Sequence, residues 1–478
     1  MERLSGLDAG FLYLETPTLL MHTLKLVLLD RLERPIDARA SLIAATRSRL
    51  HLFPALRRRL LNIPVGLHHP LWIESSEVDL ERHVLHAHIR APGGAREMDE
   101  AIAEIASSPL DRSRPLWELW LLDGRADGAL AVLLKIHHAL ADGGAAAQLI
   151  EAVASHDRFE PGPAKAAERW LPERTPSRSE LLRAAATDRA RELVALPALA
   201  LRTAKSVLCL MGQHLSPRPP LPMFDAPRTS FNGSLSARRS LATVSLSLAR
   251  ALFVKTTARV TLNDVILALV GSALRSYLRG RGELPDRSLI ASVPISSDSK
   301  GSHRLAGNRV SSLFTTLATD VVDPWERLLA IHAATLQAKH VQDVLGPGLL
   351  GAWLQYAMPK PLSWIVSEWS KRHVADLLPP PANVVVSSVH GPSEELFAQG
   401  MPLRAIYSVG PVLEGIGLNI TVWSYLERLH FTVLACRDMM PDPHLITPLF
   451  EVALDDLEQR ALAAPSHAPD RADDVLVA

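Results

Sequence analysis

Two adjacent histidines join an apolar run to a segment of small residues at positions 133–144, which read Leu133-Leu134-Lys135-Ile136-His137-His138-Ala139-Leu140-Ala141-Asp142-Gly143-Gly144. The apolar run 130–136 is interrupted only by Lys135, and its length and flanks predict a strand that is buried on both faces. Residues 143–153 predict a helix with Asp142 as its N-cap. The histidines therefore lie at the carboxyl end of a strand, where ligand sites of open sheets tend to occur.

Consecutive strand residues point to opposite faces, so His137 and His138 cannot both face one pocket. One imidazole can act on a substrate while the other braces the turn. A neutral imidazole near pH 7 can take a proton from a hydroxyl and return it to a leaving group. The amino end of the following helix disfavours a positive charge nearby, which helps to keep such a base neutral. We expect Asp142 either to cap that helix or to pair with a cation.

A second pair, His68 and His69, is followed by Pro70 and has no Asp-Gly after it. We interpret this pair as ordinary surface or packing residues. The alternative for His137 and His138 is a purely structural role, in which both rings are hydrogen-bonded at the end of a strand. A metal site is disfavoured because the two rings of that pair point in opposite directions. No metal is therefore expected.

The composition limits the class of protein. The chain has 478 residues and is 47% hydrophobic, enough for two ordinary domains with sizeable cores. Lysine plus arginine and aspartate plus glutamate both number 51, so no nucleic-acid partner is indicated. The two cysteines, Cys209 and Cys436, each stand alone, which indicates neither a disulfide framework nor a zinc site. A reducing, cytoplasmic location fits.

No signal-peptide core follows Met1. The most apolar long segment, 193–211, contains Pro197, Arg202 and Lys205 and is not expected to span a bilayer, although peripheral membrane contact stays open. Residues 179–214 predict a helix between proline clusters. Its apolar side is expected to pack on the protein surface, with membrane docking as the alternative, and it carries Leu193, Leu196, Leu201 and Leu208. The basic run 57–59 is expected to be a solvated surface, with phosphate binding as the alternative.

Several landmarks occur in an order that resembles the bacterial wax ester synthase/diacylglycerol acyltransferase family. The likeness extends from the first residues to about Asp442. Beside the opening segment 4–17, the matching residues are Met21-His22, Pro115-Leu116-Trp117, the motif 137–143, Asn263-Asp264, Gly307-Asn308 and Leu418-Asn419-Ile420-Thr421. Together these matches are far more specific than any one of them alone.

The resemblance implies an α/β fold with two chloramphenicol-acetyltransferase-like domains and a central channel between them. It implies residues 1–157 as the N-terminal acyltransferase domain and 228–460 as the C-terminal one. The connector and the tail are free of the likeness: the change in composition predicts a Pro/Arg-rich helical connector at 158–227, and 461–478 is expected to be a flexible tail. By the match, His138 is the general base, His137 its support and Asp142 a structural residue. The residues that would support the substrate channel are Gly143, Asn263, Asp264, Pro115, Leu116 and Trp117.

The chemistry can be argued separately from the family. A lipid hydroxyl is a poor nucleophile until a base takes its proton, whereas a thiolate is a good leaving group. One histidine could therefore move the acyl group directly, and no Gly-x-Ser-x-Gly nucleophile elbow is present.

Two segments depart from the family pattern. Ser297-Asp298 follows Val293-Pro294-Ile295-Ser296 where the family usually has an arginine, so the usual partner of Asp142 is absent, and Arg304 or Arg309 could substitute. His390 also replaces the proline that the family usually has before Gly391-Pro392.

The leading hypothesis is an acyl-CoA-dependent transferase that esterifies diacylglycerol to triacylglycerol. Wax ester synthesis from long-chain alcohols is the first alternative. The absent arginine motivates a second, a weakly active lipid-binding or regulatory relative, and a carrier-protein condensation enzyme is less favoured. No cofactor is expected beyond long-chain acyl-CoA as co-substrate. The expected location is cytoplasmic, with peripheral contact at the inner membrane or at lipid droplets.

Overall fold

The computed structural model describes residues 1–30, 37–75, 77–157, 173–213, 225–296, 304–346 and 348–464. Its strands are β1 (Glu2–Arg3), β2 (His22–Leu29), β3 (Arg58–Leu61), β4 (Leu71–Glu74), β5 (Val84–His88), β6 (Trp117–Asp123), β7 (Leu130–His137), β8 (Arg239–Ser247), β9 (Ile290–Ser296), β10 (Val310–Thr316), β11 (Val384–His390), β12 (Phe397–Ala398), β13 (Met401–Val409), β14 (Leu418–Tyr425) and β15 (Arg428–Cys436). Its helices are α1 (Gly6–Leu14), α2 (Ala38–Arg49), α3 (Leu80–His83), α4 (Ala95–Ala106), α5 (Gly143–Val153), α6 (Arg178–Gln213), α7 (Leu248–Ala258), α8 (Leu262–Gly280), α9 (Pro324–Leu345), α10 (Leu349–Leu354), α11 (Pro359–Lys371) and α12 (Thr447–Ala463).

Two mixed six-stranded sheets organise the molecule. The first has the strand order β12-β13-β2-β7-β6-β5 and the second has the order β10-β9-β11-β14-β15-β8. A small third sheet contains β1, β4 and β3. Strand β7, which leads to the histidine motif, is central in the first sheet and antiparallel to both of its neighbours, β2 and β6.

One segment of the chain passes from the second sheet to the first and back. After β11 in the second sheet, the chain crosses to the first sheet as β12 and β13 and returns to the second as β14. In this crossing Ser408 of β13 lies opposite Lys25 of β2. The segment 228–460 therefore contributes strands to both sheets. The predicted domain boundaries divide the sequence but do not separate the two sheets.

Helix α8 forms the centre of the second core. It begins with a capping box in which Thr261 and Asp264 bond each other's backbone N–H groups. Residues 264–274 are all buried, which explains why this helix is apolar around its whole circumference. Within the described residues no single helix has the length and apolar composition to span a bilayer, while the bent pair of α7 and α8, which meet at 107°, meets both criteria together.

The predicted burial of β7 on both faces is wrong for one face. Ala131, Leu133 and Lys135 are fully buried, whereas Leu130 and Leu134, like Val132 between them, are only half-buried. The half-buried side chains line an apolar cavity between the sheet and helices α2 and α5. An open cavity in place of packed side chains accounts for the difference.

Two other surface predictions also change. Arg57 is buried and pairs with Glu74 at 2.7 Å, so the basic run is not simply solvated. Helix α6 spans almost the predicted range, but its expected packing side is wrong: Leu193 is 62% exposed and Leu208 is 68% exposed. The residues that do bury themselves, such as Leu199, lie on another side of α6. Predictions for 158–172, 214–224 and 465–478 fall outside the described residues.

Candidate active site

The motif forms the strand, turn and helix that its sequence predicts. Strand β7 ends at His137, and the backbone N–H of His138 still donates to Met21 O at 2.8 Å. Helix α5 begins one residue after Asp142, whose Oδ1 accepts the N–H of Ala145 at 2.9 Å. This N-cap fixes the turn that carries both histidines.

The His138 ring has one nitrogen bonded and one open. Its Nδ1 lies 2.8 Å from Oδ1 of Asn308, and its face stacks on Phe11 at 4.2 Å between ring centroids. Nε2 makes no hydrogen bond to any residue in the described part of the chain, and the ring is partly exposed. Burial lowers the pKa of His138 to about 4, against a smaller opposing contribution from Asn308. The ring is therefore neutral near pH 7 and can accept a proton.

His137 braces the turn instead. The ring is fully buried, and its Nδ1 accepts the backbone N–H of Ala139 at 3.0 Å. The neutral ring therefore carries its proton on Nε2, which lies 3.5 Å from a carboxylate oxygen of Glu15. Burial raises the pKa of Glu15, but His137 and Arg112 outweigh it and lower that pKa to about 2. This ring supports its neighbour and does not face the same space.

Arg304 pairs with Asp142. Its guanidinium donates to Asp142 Oδ2 at 2.6 Å, and the same oxygen accepts the backbone N–H of Arg309 at 2.9 Å. Both candidate residues therefore contact Asp142, but only Arg304 does so through its charged side chain. The Arg304 guanidinium also donates a hydrogen bond to the carbonyl of Gly307. These bonds attach the loop 304–309 to the motif. A cation from another position in the sequence thus pairs with Asp142.

The sequence reasoning missed the catalytic neighbours Asn308, Asp8 and Phe11. Asn308 Nδ2 donates to Asp8 Oδ1 at 2.7 Å and to the backbone carbonyl of His138 at 2.6 Å. Asn308 follows Gly307, whose φ of 79° gives the backbone a turn that favours glycine. A polar residue directly after a glycine in a turn could have indicated a functional side chain. Gly307-Asn308 served only as one of the matches to the family.

The Pro115-Leu116-Trp117 segment supports the strand end. The carbonyl of Leu116 accepts the N–H of His137 at 3.0 Å. The Trp117 indole donates to Leu56 O at 2.7 Å and lines the apolar cavity, while Pro115 is buried beside it. Of the three, Trp117 alone lines that cavity.

Asp264 has a different role from the one expected near the channel. Its carboxylate caps α8 and accepts bonds from His332 at 2.8 Å and from Thr335 at 2.6 Å, both on α9. Burial raises its pKa, and these hydrogen bonds outweigh that effect and lower it. Asp264 thus joins two helices of the second core, and no hydrogen bond or ion pair links it to His138 within the described residues.

Asn263 and Gly143 lie closer to the junction of the two sheets. Asn263 Oδ1 accepts the hydroxyl of Ser388 at 3.0 Å, one residue before Val389 of β11. A Cβ added to Gly143 would lie 3.5 Å from a methyl carbon of Val389. Both residues thus approach the same strand end, where α5 begins. No cluster of three metal-ligating side chains occurs among the residues that the structure describes.

An apolar cavity of about 210 Å³ lies on one face of β7, the strand that leads to the motif. Leu130, Val132 and Leu134 form its floor and share one face of β7. If the alternation of the strand continues past its end, His138 lies on the same face. Lys25 lies at its end nearest the motif, where Ser408 accepts a hydrogen bond from Nζ, and burial lowers the pKa of Lys25 to about 8. Most of the other lining side chains are apolar, so the space suits an alkyl chain.

Comparison with known proteins agrees with this geometry. Residues 4–266 match the wax ester synthase/diacylglycerol acyltransferase catalytic domain, and residues 306–458 match the WS/DGAT C-terminal domain. A Mycobacterium tuberculosis protein whose assigned name is diacylglycerol O-acyltransferase is 39% identical over 456 residues, 94% of each chain. A second such protein from the same organism is 34% identical over 466 residues, 96% of this chain and 90% of that one.

Solved structures give the same answer. The wax ester synthase/diacylglycerol acyltransferase from Marinobacter aquaeolei VT8 superposes with a TM-score of 0.68 at 26% identity, covering 96% of this chain and 99% of that one. The starter condensation domain of rhizomide synthetase shares the fold alone, with a TM-score of 0.55 at 14% identity over 96% and 94% of the two chains. The predicted fold class and acyltransferase assignment are confirmed. The chain belongs to the wax ester synthase/diacylglycerol acyltransferase family.

Proposed function

We propose that this enzyme transfers a long-chain acyl group from acyl-CoA to the free hydroxyl of diacylglycerol. The observation that carries the proposal is the open Nε2 of a neutral His138 at the end of β7, the strand whose residues 130–134 line an apolar cavity. The assigned names of the mycobacterial relatives support diacylglycerol as acceptor. The related fold of the condensation domain, which is described in complex with C8-CoA, supports an acyl-CoA donor.

The reaction needs one proton shuttle. Nε2 of His138 takes the proton of the acceptor hydroxyl as its oxygen attacks the thioester carbonyl. The carbon–oxygen bond forms, the carbon–sulfur bond breaks, and the imidazolium returns the proton to the leaving CoA thiolate. Such general base catalysis contributes about 10²- to 10⁴-fold, and the remaining acceleration comes from holding the two lipids together. His138 alone moves the proton, and no acyl-enzyme forms.

The apolar cavity would hold one alkyl chain of the two substrates. Its floor along β7 extends from Leu134 to Leu130, which is about 13 Å at the usual rise of a strand. The end at Leu134 is the nearer one to His138, since the histidine follows four residues later. A chain that begins at the reacting carbon can therefore extend away from the base along the sheet.

The hypothesis that the chain is a weakly active lipid-binding relative loses its support. That alternative rested on the arginine missing after Ser296, whereas Arg304 bonds Asp142 at 2.6 Å. An intact motif turn favours an active transferase. The choice between diacylglycerol and a long-chain alcohol then rests on measurement.

A thiol-release assay tests the proposal. Palmitoyl-CoA is held constant while dioleoylglycerol, monooleoylglycerol and hexadecanol are offered as acceptors, and lipid products are separated afterwards. We expect the highest kcat/KM with dioleoylglycerol and triacylglycerol as the product. Activity with hexadecanol alone would assign a wax ester synthase, and no acceptor-dependent CoA release with any of the three would reject acyl transfer.

We also propose that the enzyme is cytoplasmic and docks on an anionic phospholipid surface through α6. Four apolar side chains of this helix are strongly exposed: Leu193, Val194, Leu201 and Leu208. We call these four side chains the apolar helix surface; the exposed Trp353 of α10 and Trp364 of α11 add apolar area outside α6. Trp353 lies against α6, since its indole donates to Thr203 at 3.0 Å.

Charge favours a lipid occupant over other partners. Arg202 and Lys205 are exposed on α6 beside the apolar residues, and neither forms an ion pair with a described residue. Basic side chains next to exposed leucine and tryptophan are typical of helices that lie in an anionic lipid interface. Helices α10 and α11 pack on α1, which carries Phe11, so the surface lies close to the site where lipid substrates must enter.

Vesicle flotation tests the docking. We expect binding to phosphatidylglycerol vesicles, weaker binding to phosphatidylcholine vesicles, and at least tenfold weaker binding for the variant L193E/L201E/L208E. The control Leu462→Glu changes another leucine, 71% exposed, on α12 and should bind like the wild type. Equal flotation of the triple variant and the wild type would reject this surface.

A further inference from the structure

We propose that Asn308, itself held by Asp8, fixes the ring proton of His138 on Nδ1 and so keeps Nε2 as the proton acceptor. This positioning role rests on the proposed acyl transfer and adds two residues to it. Asn308 and Asp8 are 300 residues apart in sequence, and the hydrogen bond between them places Asp8 directly behind the amide that contacts the ring.

The orientation of the Asn308 amide follows from its partners. Its Nδ2 lies 2.7 Å from Asp8 Oδ1 and 2.6 Å from the carbonyl oxygen of His138. Both partners are oxygens that accept hydrogen bonds, so the NH₂ group must face them. The reversed amide would place Oδ1 against two other oxygens, which is repulsive. The amide therefore presents Oδ1, an obligate acceptor, to the imidazole.

The ring tautomer follows in turn. A neutral imidazole carries one proton, and Nδ1 must hold it in order to donate to Asn308 Oδ1 at 2.8 Å. Nε2 is left with its lone pair. His137 has the opposite tautomer, because its Nδ1 accepts the N–H of Ala139. Adjacent rings of one motif are thus set to opposite states by different neighbours.

An amide suits this position better than a carboxylate. A carboxylate bonded to Nδ1, as in the serine protease triad, would orient the ring but also raise its pKa. Asn308 orients the ring without adding charge, so the imidazole stays neutral. The negative charge lies one step farther away on Asp8, which is buried and accepts the Ser5 hydroxyl at 2.7 Å. Burial raises the pKa of Asp8, while its bonds to Ser5 and Asn308 oppose that shift.

Three variants separate positioning from simple structural support. Asn308→Ala should lower kcat about ten- to a hundredfold with KM for acyl-CoA within about twofold, because base catalysis fails while binding remains. Asp8→Ala removes one of the two oxygens that orient the Asn308 amide, so it should lower kcat in the same direction as Asn308→Ala but by less. Asn232→Ala removes a buried amide that bridges loops elsewhere, by bonds to Ala382 and Gly415, and serves as the matched control with wild-type kcat per folded molecule.

The exchange variant D8N/N308D gives a readout that a structural role would not move. It places a carboxylate on Nδ1 and an amide behind it, which should raise the pKa of His138. The acid limb of the kcat/KM profile should therefore move up by about one pH unit or more, with activity near pH 8 retained. An unchanged limb in a folded variant would overturn the proposal, and so would an Asn308→Ala enzyme with unchanged kcat.

The tautomer can be measured without turnover. Nitrogen-15 NMR of histidine-labelled enzyme, assigned by comparison with His138→Gln, should show the His138 proton on Nδ1 in the wild type and a mixture in Asn308→Ala. A proton on Nε2 in the wild type would reject the inference even if acyl transfer is observed. Absence of acyl transfer with the proton on Nδ1 would instead reject the proposed function alone.

Discussion

The chain contains two pairs of adjacent histidines, and comparison of the two shows what makes a base. His69 uses both ring nitrogens: Nδ1 bonds the Tyr13 hydroxyl at 2.8 Å and Nε2 bonds the carbonyl of Gln355 at 3.0 Å. His68 accepts the N–H of His69 and lies 3.1 Å from Glu192. Among the residues that the structure describes, His138 has a hydrogen-bond partner on Nδ1 only. An open nitrogen, and not the doubled histidine, distinguishes the candidate site.

The pKa does not separate the pairs. Burial lowers the pKa of His68, His69 and His138 alike, each to about 4. All three rings are therefore neutral near pH 7, yet the first two are occupied by packing partners. Geometry decides the function here, and the lowered pKa is a consequence of burial that both pairs share.

The largest expected effect is a difference in kcat between variants of His138 and of His69, one histidine from each pair. His138→Ala should lower kcat by about 10³-fold or more with folding retained, because the general base is lost. His69→Gln should keep kcat within about threefold, since an amide can replace its two hydrogen bonds. Steady-state kinetics with palmitoyl-CoA and dioleoylglycerol, beside circular dichroism, measure both. Equal losses in the two variants would remove the distinction between the pairs.

The next effect concerns the turn that only the catalytic pair possesses. Arg304→Met should lower kcat about tenfold and the free energy of unfolding by on the order of 3 kcal/mol, because it leaves the carboxylate of Asp142 without its cation. Arg404→Met breaks exposed pairs with Asp30 and Asp127 and should cost less than about 1 kcal/mol. Activity and denaturant titration compare the two. An Arg304→Met enzyme as stable as Arg404→Met would contradict the assigned role of the pair.

A smaller change should appear in chain-length preference, because β7, the strand that leads to His138, lines the apolar cavity. Val132→Phe fills the middle of the cavity floor and should lower kcat/KM for sixteen-carbon chains about tenfold relative to eight-carbon chains. The control Val322→Phe adds the same bulk at a residue that is 71% exposed. Series of acyl-CoA donors and of alcohols show which substrate chain is affected. No change in either series would exclude the cavity as a lipid site.

The smallest effect is on stability against pH. The folded pKa of His69 is about 4, below the ordinary value of 6.5, so the neutral ring is favoured in the folded state. Its contribution is complete above pH 6.5 and declines as the pH falls from 6.5 toward 4. His69→Gln should therefore lose less of its melting temperature between pH 7 and pH 5 than the wild type does. An identical decline in both would show that His69 does not titrate in this way.

Local signals in the sequence predicted the strand, the turn and the helix of the motif. The apolar run ending at His137 and the N-cap Asp142 act within a few residues, so their pattern suffices. The bonds that finish the site are not local: Asn308 is 170 residues from His138, and Asp8 is 300 residues from Asn308. No periodicity in the sequence encodes these contacts, which depend on where residues 304–309 lie against the motif turn.

Exposure was equally hard to predict. The pattern of α6 shows which residues are apolar but not what covers them, and the structure leaves Leu193 and Leu208 uncovered. The partner of Asp142 could be limited to Arg304 or Arg309 by charge alone. Choosing the side chain of Arg304 required the positions of the guanidinium and the backbone N–H at that turn.

Chemical rescue tests the central claim most directly. His138→Ala enzyme is assayed for triacylglycerol formation from palmitoyl-CoA and dioleoylglycerol with increasing imidazole, beside enzyme-free and His69→Gln controls. If a neutral imidazole at this position removes the hydroxyl proton, activity should be nearly absent without imidazole and should rise with the concentration of its neutral form. Wild-type turnover by His138→Ala in the absence of imidazole would contradict the account.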